Sequence, residues 1–429
     1  MPGQAWQSDI IEQIEVPGAG CKYVIDELKP DGLWLMEEDI EFPDPEGKGV
    51  LIPLRLAPWP LPGRPLPYES ESALFLEIIE FLHHHLELRD KSAYDVLACF
   101  ILVTWRFEEF DVVPYLNFLG PKNTGKTRGL ELVASLAYRG WLITHPTPAA
   151  VFWIVDRYHP TLLEDNYEFW AKETRRELDG LFNAGYRKGA VVPRRPRERE
   201  SGSDLDIYNV YCPKGLSGTR EPSDALGSRC IRIRMTKTRK AMPMRVDGAW
   251  AKELRSKLLQ YRFRHLEEPR QENNEILNRY GRVGEIFHAL LTVAPDDQIK
   301  VKIAGYAQSL FQDQLEEEAT SQEAEAVQAI VTCQDEALDG RLAIKRIVEE
   351  LNKNRDEKDM MSPEKVGWIT KRLGFKKCRM PDQAGNYAIL LESSLVESLR
   401  EDYDIKKHAA TGFWKSESRD LQMARSRQK

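Results

Sequence analysis

Residues Gly120-Pro121-Lys122-Asn123-Thr124-Gly125-Lys126-Thr127 form the pattern G-x-x-x-x-G-K-T, which leaves little freedom to the fold around it. Its glycines let backbone N–H groups turn inward around phosphate oxygens. The lysine reaches the β and γ phosphates, and the final hydroxyl is a ligand for Mg²⁺. Such a loop works only where a strand delivers it and a helix leaves it, because the first helical turn adds unpaired N–H groups and a positive dipole end. Here the apolar stretch Tyr115 to Leu119 comes before it, and TRGLELVASLAYRG follows with helical spacing.

The surroundings continue the pattern. From Val112 to about Glu268 short apolar runs alternate with longer helical ones: VVPYLNFLG, TRGLELVASLAYRG, WLITH, AAVFWIVDRY and TLLED. That alternation predicts an α/β domain, a parallel sheet with flanking helices. A phosphate loop of this kind also needs an acid at the end of a neighbouring strand for the Mg²⁺ shell. HPTLLEDN ends its apolar run in Glu164 and Asp165, and Asp165 is the expected metal acid.

The rest divides by composition and periodicity. Residues 1–67 read as a strand-rich segment closed by the proline-rich APWPLPGRPLPY, and 68–111 as two helices capped by Ser72 and Ser92. The core spans 112–268, and a polar helical lid or connector spans 269–340. In 341–408, helices precede two strand-like runs, FKKCRM and YAILL, which is the order of a winged helix; Ser362 caps one helix, Pro363 opens it and Gly374 ends it. Residues 409–429 form a tail.

The formal charge of -7 would by itself argue against a nucleic-acid partner. Its distribution argues otherwise: Met1–Leu119 holds 8 basic and 22 acidic residues, whereas Arg187–Arg245 holds 15 basic and 6 acidic. The six cysteines are scattered without C-x-x-C spacing, so neither a disulfide framework nor a zinc ribbon is expected. No apolar run approaches membrane-spanning length, and the first residues lack the profile of a signal peptide, so the expected location is cytoplasmic and no membrane partner is expected.

With VPYLNFLGPKNTGKT, HPTLLEDNYEF, ELDGLFNAGYRKGA, YNVYCPKGLSGT and SDALGSRCIRIRM in place, the span from about Ser72 to Ile233 resembles the helicase-type AAA+ ATPases of plasmids, phages and other mobile elements. These are relatives of the superfamily 3 and minichromosome-maintenance helicases. The resemblance implies ATP and Mg²⁺ as cofactors, DNA as a partner, and a homo-oligomeric, hexameric ring. It gives Lys126 and Thr127 the Walker A roles and Asp165 the Walker B metal role, and it puts Lys214 where a sensor residue contacts the γ-phosphate. Arg229 becomes the arginine finger that enters the next subunit's site. Arg187, Lys188, Arg194, Arg195, Arg197 and Arg199 fall where a basic hairpin enters the pore, and Lys365, Lys371 and Arg372 give the winged helix a second basic surface.

One departure bears on catalysis. The family places a glutamate after the Walker B aspartate, and here Asn166 follows Asp165. An amide orients water but cannot take its proton. Glu164-Asp165 is then the working pair shifted by one, or Glu168 substitutes, or hydrolysis is slow. The sequence therefore reads as an ATP-driven DNA motor, with an ATP-switched DNA-binding assembly factor as the alternative.

Overall fold

A computed structural model describes residues 10–17, 20–26, 33–36, 42–43, 50–51, 58–403 and 405, apart from 145, 168–171, 195–204, 223, 239, 267–279, 320–321, 354, 356–359 and 381–386. The chain forms two compact units, Met1–Leu310 and Phe311–Lys429. That boundary falls inside the stretch read as one connector.

The first unit opens with the antiparallel strands β1 (Ile10–Val16), β2 (Gly20–Asp26) and β3 (Leu33–Met36), and with β4 (Phe42–Pro43) paired to β5 (Val50–Leu51). Helices α1 (Glu71–His85) and α2 (Ser92–Thr104) follow. The caps differ from those expected. Ser70, not Ser72, accepts the Ala73 N–H, while Ser92 lies inside its helix, bonded through N and Oγ to Asp90. In both places a hydroxyl or carboxylate two residues upstream is better placed to receive a first-turn N–H.

The α/β core contains β6 (Tyr115–Leu119), α3 (Lys126–Leu136), β7 (Trp141–Ile143), α4 (Pro148–Tyr158), β8 (Leu162–Glu164), α5 (Lys172–Ala184), β9 (Val191–Arg194), β10 (Asp206–Asn209), β11 (Lys214–Gly218), α6 (Asp224–Gly227) and β12 (Cys230–Arg234). Helices α7 (Gly248–Leu266), α8 (Gly281–Val293) and α9 (Asp297–Ala319) follow. Five strands form one parallel sheet in the order β12-β6-β11-β8-β7. The expected parallel sheet with flanking helices is thus present. The run IYNVYC is not its strand, however. Asp206–Asn209 pairs with β9 as a separate antiparallel hairpin, and the sheet takes up the small and polar KGLSG instead.

The sheet's order sets where a ligand fits. The chain leaves β6 for the far edge at β7 and returns through β8 and β11, while β12 pairs on the other side of β6. A crevice opens outside the carboxyl ends at such a switch point, between β6 and β11. Helix α3 packs on β6, β7, β8 and β11, with α2 and α7 beyond it. Elsewhere Val151, Phe152 and Val155 of α4 join Leu178, Leu181 and Phe182 of α5 in a cluster with Tyr115, Leu162 and Leu216 of the sheet.

A buried polar network ties β1 to this core. Glu12 Oε1 accepts from Tyr138 Oη at 2.8 Å and from Arg262 Nε at 2.8 Å, and Arg139 Nη2 reaches Glu12 Oε2 at 3.2 Å. Arg262 also donates to the Glu108 carboxylate at 2.7 Å and to the Trp105 carbonyl at 2.8 Å.

The second unit contains α10 (Gln322–Cys333), β13 (Arg341–Ala343), α11 (Ile344–Asn352), α12 (Pro363–Arg372), β14 (Lys376–Arg379), β15 (Tyr387–Leu390) and α13 (Ser393–Asp402). Its sheet runs β13-β15-β14, all antiparallel. The apolar faces meet in one core around Ile330, Ile347, Val366, Ile369 and Ile389. Ser362 accepts from Lys365 N, and Gly374 ends α12's terminal turn at φ 93°, as the sequence predicts.

Removing Arg262 leaves Glu12 with one cation fewer in a buried site. Arg262→Ala is expected to cost about 3–5 kcal/mol of stability in the first unit, measured by urea unfolding.

Candidate nucleotide site

The carboxyl ends of β6, β8 and β11 carry the residues the sequence singles out. Leu119 is in register with Gly218, and Leu216 with Glu164, so Gly120, Asp165 and Thr219 emerge from one edge of the sheet. A Cβ on Gly120 would lie 2.2 Å from the Met235 carbonyl oxygen, which forbids any side chain where the loop leaves β6. At the other end Gly125 has φ 87°, a left-handed conformation that glycine adopts without strain, immediately before α3 begins.

Within the loop, Pro121, Lys122 and Asn123 are exposed, while Thr124 and Lys126 are buried. Thr124 Oγ1 donates to the Pro121 carbonyl at 2.9 Å. The Lys126 ammonium folds back to donate to the carbonyls of Gly120 at 2.9 Å and Pro121 at 2.8 Å. It is held where the loop curves.

Thr127 lies across the crevice from β8. Its Oγ1 donates to Asp165 Oδ2 at 2.9 Å, and Asp165 Oδ1 accepts from Ser217 Oγ at 2.5 Å. Ser217 in turn accepts the Asn166 N–H at 3.1 Å, and Asn166 has φ 60°. Asparagine tolerates that left-handed turn better than most side chains. Loop helix, β8 end and β11 are therefore joined by one hydrogen-bonded chain. Ser217 is a site residue missed by the sequence reading, because KGLSG carries no strand signal beyond Leu216.

Thr127 and Asp165 present two oxygen ligands of the hard, neutral-plus-carboxylate kind suited to Mg²⁺, beside N–H groups and an ammonium suited to phosphate. The residues present fit a Mg²⁺-bound nucleotide. Glu164 stands one residue further inside: it ends β8, pairs in register with Ile143 and Leu216, and is 1% exposed. Glu168 lies outside the described residues.

Lys214 is not a γ-phosphate contact. It opens β11, in register with Tyr115, at the amino end of the sheet, whereas the loop follows the carboxyl end. Four residue-to-residue steps separate the two ends of β11, about 13 Å at the usual rise. The Lys214 ammonium is fully buried and donates to the carbonyls of Cys212, Val210 and Gly185 at 3.0, 3.1 and 3.3 Å. Burial pushes its pKa down, partly opposed by Cys212. It staples the turn into β11.

Arg229 also lies at the amino end: its carbonyl accepts from Tyr115 N at 3.0 Å. The guanidinium sits 4.8 Å from the Tyr186 ring centroid, and its Nε and Nη1 are buried without a hydrogen-bond partner. Burial first, then the like charge of Arg282, holds its pKa below the usual arginine value. Arg282 lies 5.7 Å from the same ring and donates to Ser228 Oγ at 3.0 Å.

The basic residues divide. Arg194 ends β9, pairs with Glu177 at 2.5 Å and lies 4.5 Å from the Phe152 ring, at the point where the chain enters 195–204. Arg187 faces Glu285 at 3.3 Å and Lys188 donates to the Glu108 carbonyl at 2.7 Å, so both anchor the hairpin's root. Arg195, Arg197 and Arg199 lie outside the described residues. In the second unit Lys365 and Lys371 are exposed, and Arg372 pairs with Glu323 at 2.8 Å. Separately, Phe107, Tyr138, Arg139, His159 and Tyr211 line a cavity of about 200 Å³ at the sheet's amino end.

No protein-family model and no curated protein matches the chain. Among solved structures, the apo NrS-1 C-terminal region is similar at 11% identity and a TM-score of 0.35, covering 89% of this chain and 96% of that one. Its A form gives 11%, 0.30, 77% and 77%. Drosophila ORC bound to DNA gives 11% identity and a TM-score of 0.21, over 80% of this chain and 96% of that one. Likenesses this distant do not establish a family. Among the described residues no helix is long and apolar enough to cross a membrane.

A structural Lys214 predicts that Lys214→Met leaves the affinity for a fluorescent ATP analogue unchanged and lowers the melting temperature, because the buried carbonyls of Cys212, Val210 and Gly185 lose a donor. Lost affinity with an unaltered melt would restore the γ-phosphate role.

Proposed function

We propose that this chain is a Mg²⁺-dependent AAA+ ATPase that assembles as a ring and moves on or remodels DNA in the replication of mobile elements. The observation that carries the reading is the 2.9 Å contact between Thr127 and Asp165, which brings the loop's last residue and the acid of a non-adjacent strand to one point. Lys126 and the loop N–H groups would hold the β and γ phosphates, and Thr127 and Asp165 the cation. Bound Mg²⁺ supplies charge neutralisation on the transferred phosphoryl oxygens.

Ring assembly is supported by where Arg229 sits. It is at the edge of the sheet opposite its own loop, yet its guanidinium is held by Tyr186 with two nitrogens unsatisfied. Once the side chain swings off the ring, a neighbour's phosphates would satisfy them. The β9–β10 hairpin stands apart from the main sheet and leads into the basic run Arg195, Arg197 and Arg199, where phosphate contacts with DNA would gain from counterion release. The second unit's helices and antiparallel strands follow the order of a winged helix, with α12 carrying Lys365, Lys371 and Arg372.

A second reading, an ATP switch for assembly with little unwinding, is favoured by Asn166. Its backbone is fixed on Ser217, and its amide cannot accept a proton from water. Strand displacement measured beside oligomer mass, with and without ATP, separates the two: a switch assembles and displaces nothing.

Three outcomes test the motor. Lys126→Ala should abolish DNA-stimulated ATP hydrolysis, and unchanged turnover would sink the site. Ser217→Ala should raise the Mg²⁺ concentration needed for half-maximal turnover, because Asp165 loses the donor that orients it. Arg229→Ala subunits, inactive alone, should regain turnover when mixed with Lys126→Ala subunits, since each then supplies what its neighbour lacks.

A further inference from the structure

Positive charge in the second unit is concentrated. Helix α12 and strands β14 and β15 carry six cations, Lys365, Lys371, Arg372, Lys376, Lys377 and Arg379, against one carboxylate, Glu364. Helices α10 and α13 of the same unit carry acids in excess. The same three elements also expose two large aromatic side chains: Trp368 is 58% and Tyr387 50% exposed.

Exposed aromatic rings of this size cost hydration unless something covers them. Each of these two has a cation set against its face. Arg372 lies 4.8 Å from the Trp368 ring centroid, and the Lys377 ammonium 3.6 Å from that of Tyr387. Trp368 sits between Lys365 and Arg372 at helical spacings of three and four, so the indole and both cations share one stripe of α12. Two of the cations are also paired with carboxylates, Arg372 with Glu323 at 2.8 Å and Lys376 with Glu392 at 3.1 Å.

A helix that reads the duplex major groove does so with side chains that hydrogen-bond to base edges. The centre of this stripe offers instead a flat apolar ring with no acceptor and a single donor. Unpaired bases meet such a ring face to face, while flanking cations track the phosphates. We propose that the α12 and β14–β15 surface is a stacking platform for single-stranded DNA, with Trp368 and Tyr387 receiving bases and Lys365, Lys371, Lys376 and Lys377 the backbone. This rests on the reading of the chain as a DNA-acting protein and specifies the form of DNA that its second unit holds.

The test uses the full-length protein without ATP, a fluorescein-labelled oligo(dT) of about 20 nucleotides, and a blunt duplex of the same length. Trp368→Ala and Tyr387→Ala should each weaken oligo(dT) binding by about fivefold or more and leave duplex binding nearly unchanged. Trp368→Phe, which keeps a ring, should retain most of the affinity, and it should show less quenching of tryptophan emission on adding oligo(dT) than the wild type. If the alanine variants bind oligo(dT) as tightly as a wild type that does bind DNA, the platform is wrong and the DNA reading stands. If the wild type binds neither probe, the DNA reading fails and the platform with it. A change in oligomer mass for Trp368→Ala at unchanged oligo(dT) affinity makes the surface a protein contact and overturns the proposal.

Discussion

The hydrogen-bonded chain Thr127–Asp165–Ser217–Asn166 ties α3, the end of β8 and β11 together. Its members come from the start of α3, the end of β8 and the interior of β11, three places that meet only when β11 stands between β6 and β8. An aspartate used this way is an acceptor on both oxygens, so each hydroxyl is oriented by the one carboxylate. The sheet order brings the three together, while Thr124 and Lys126 bond to the carbonyls of the loop itself.

Both amino-end cations are stabilised differently from the site. Lys214 uses its three donors on the backbone carbonyls of Cys212, Val210 and Gly185, the last of which also accepts the Cys212 N–H at 3.1 Å. Arg229 rests on a ring and leaves nitrogens unspent. The first arrangement holds a turn; the second leaves two buried nitrogens without a hydrogen-bond partner at the same end of the sheet.

Much of the core was legible because its pattern is periodic. Tyr115–Leu119, the helix after the loop, WLI, the helix from Pro148 and LLE all appear close to where alternation and spacing put them. The loop and its acid could be paired from sequence because motif chemistry requires both. What was hidden had no periodic signal. β11 holds two glycines, a lysine and a serine, whereas the nearby IYNVYC has the apolar run of a buried strand and forms a hairpin edge instead. Misplacing that strand misplaced Lys214 by the length of β11 and concealed Ser217. Trp368 lies off the apolar face marked by Val366, Ile369 and Leu373, and Tyr387 opens a strand-like run; only the fold shows that both are exposed.

The composition of β11 has a consequence for how the site comes into being. With Leu216 its only large apolar side chain, the strand has little intrinsic preference for extended structure, and its ladder partners lie on both sides at β6 and β8. Its place in the sheet rests on the ladders those two neighbours supply, and so does the contact of Ser217 with Asp165. A substitution that loosens β6 or β8 therefore reaches Asp165 through β11 without touching it.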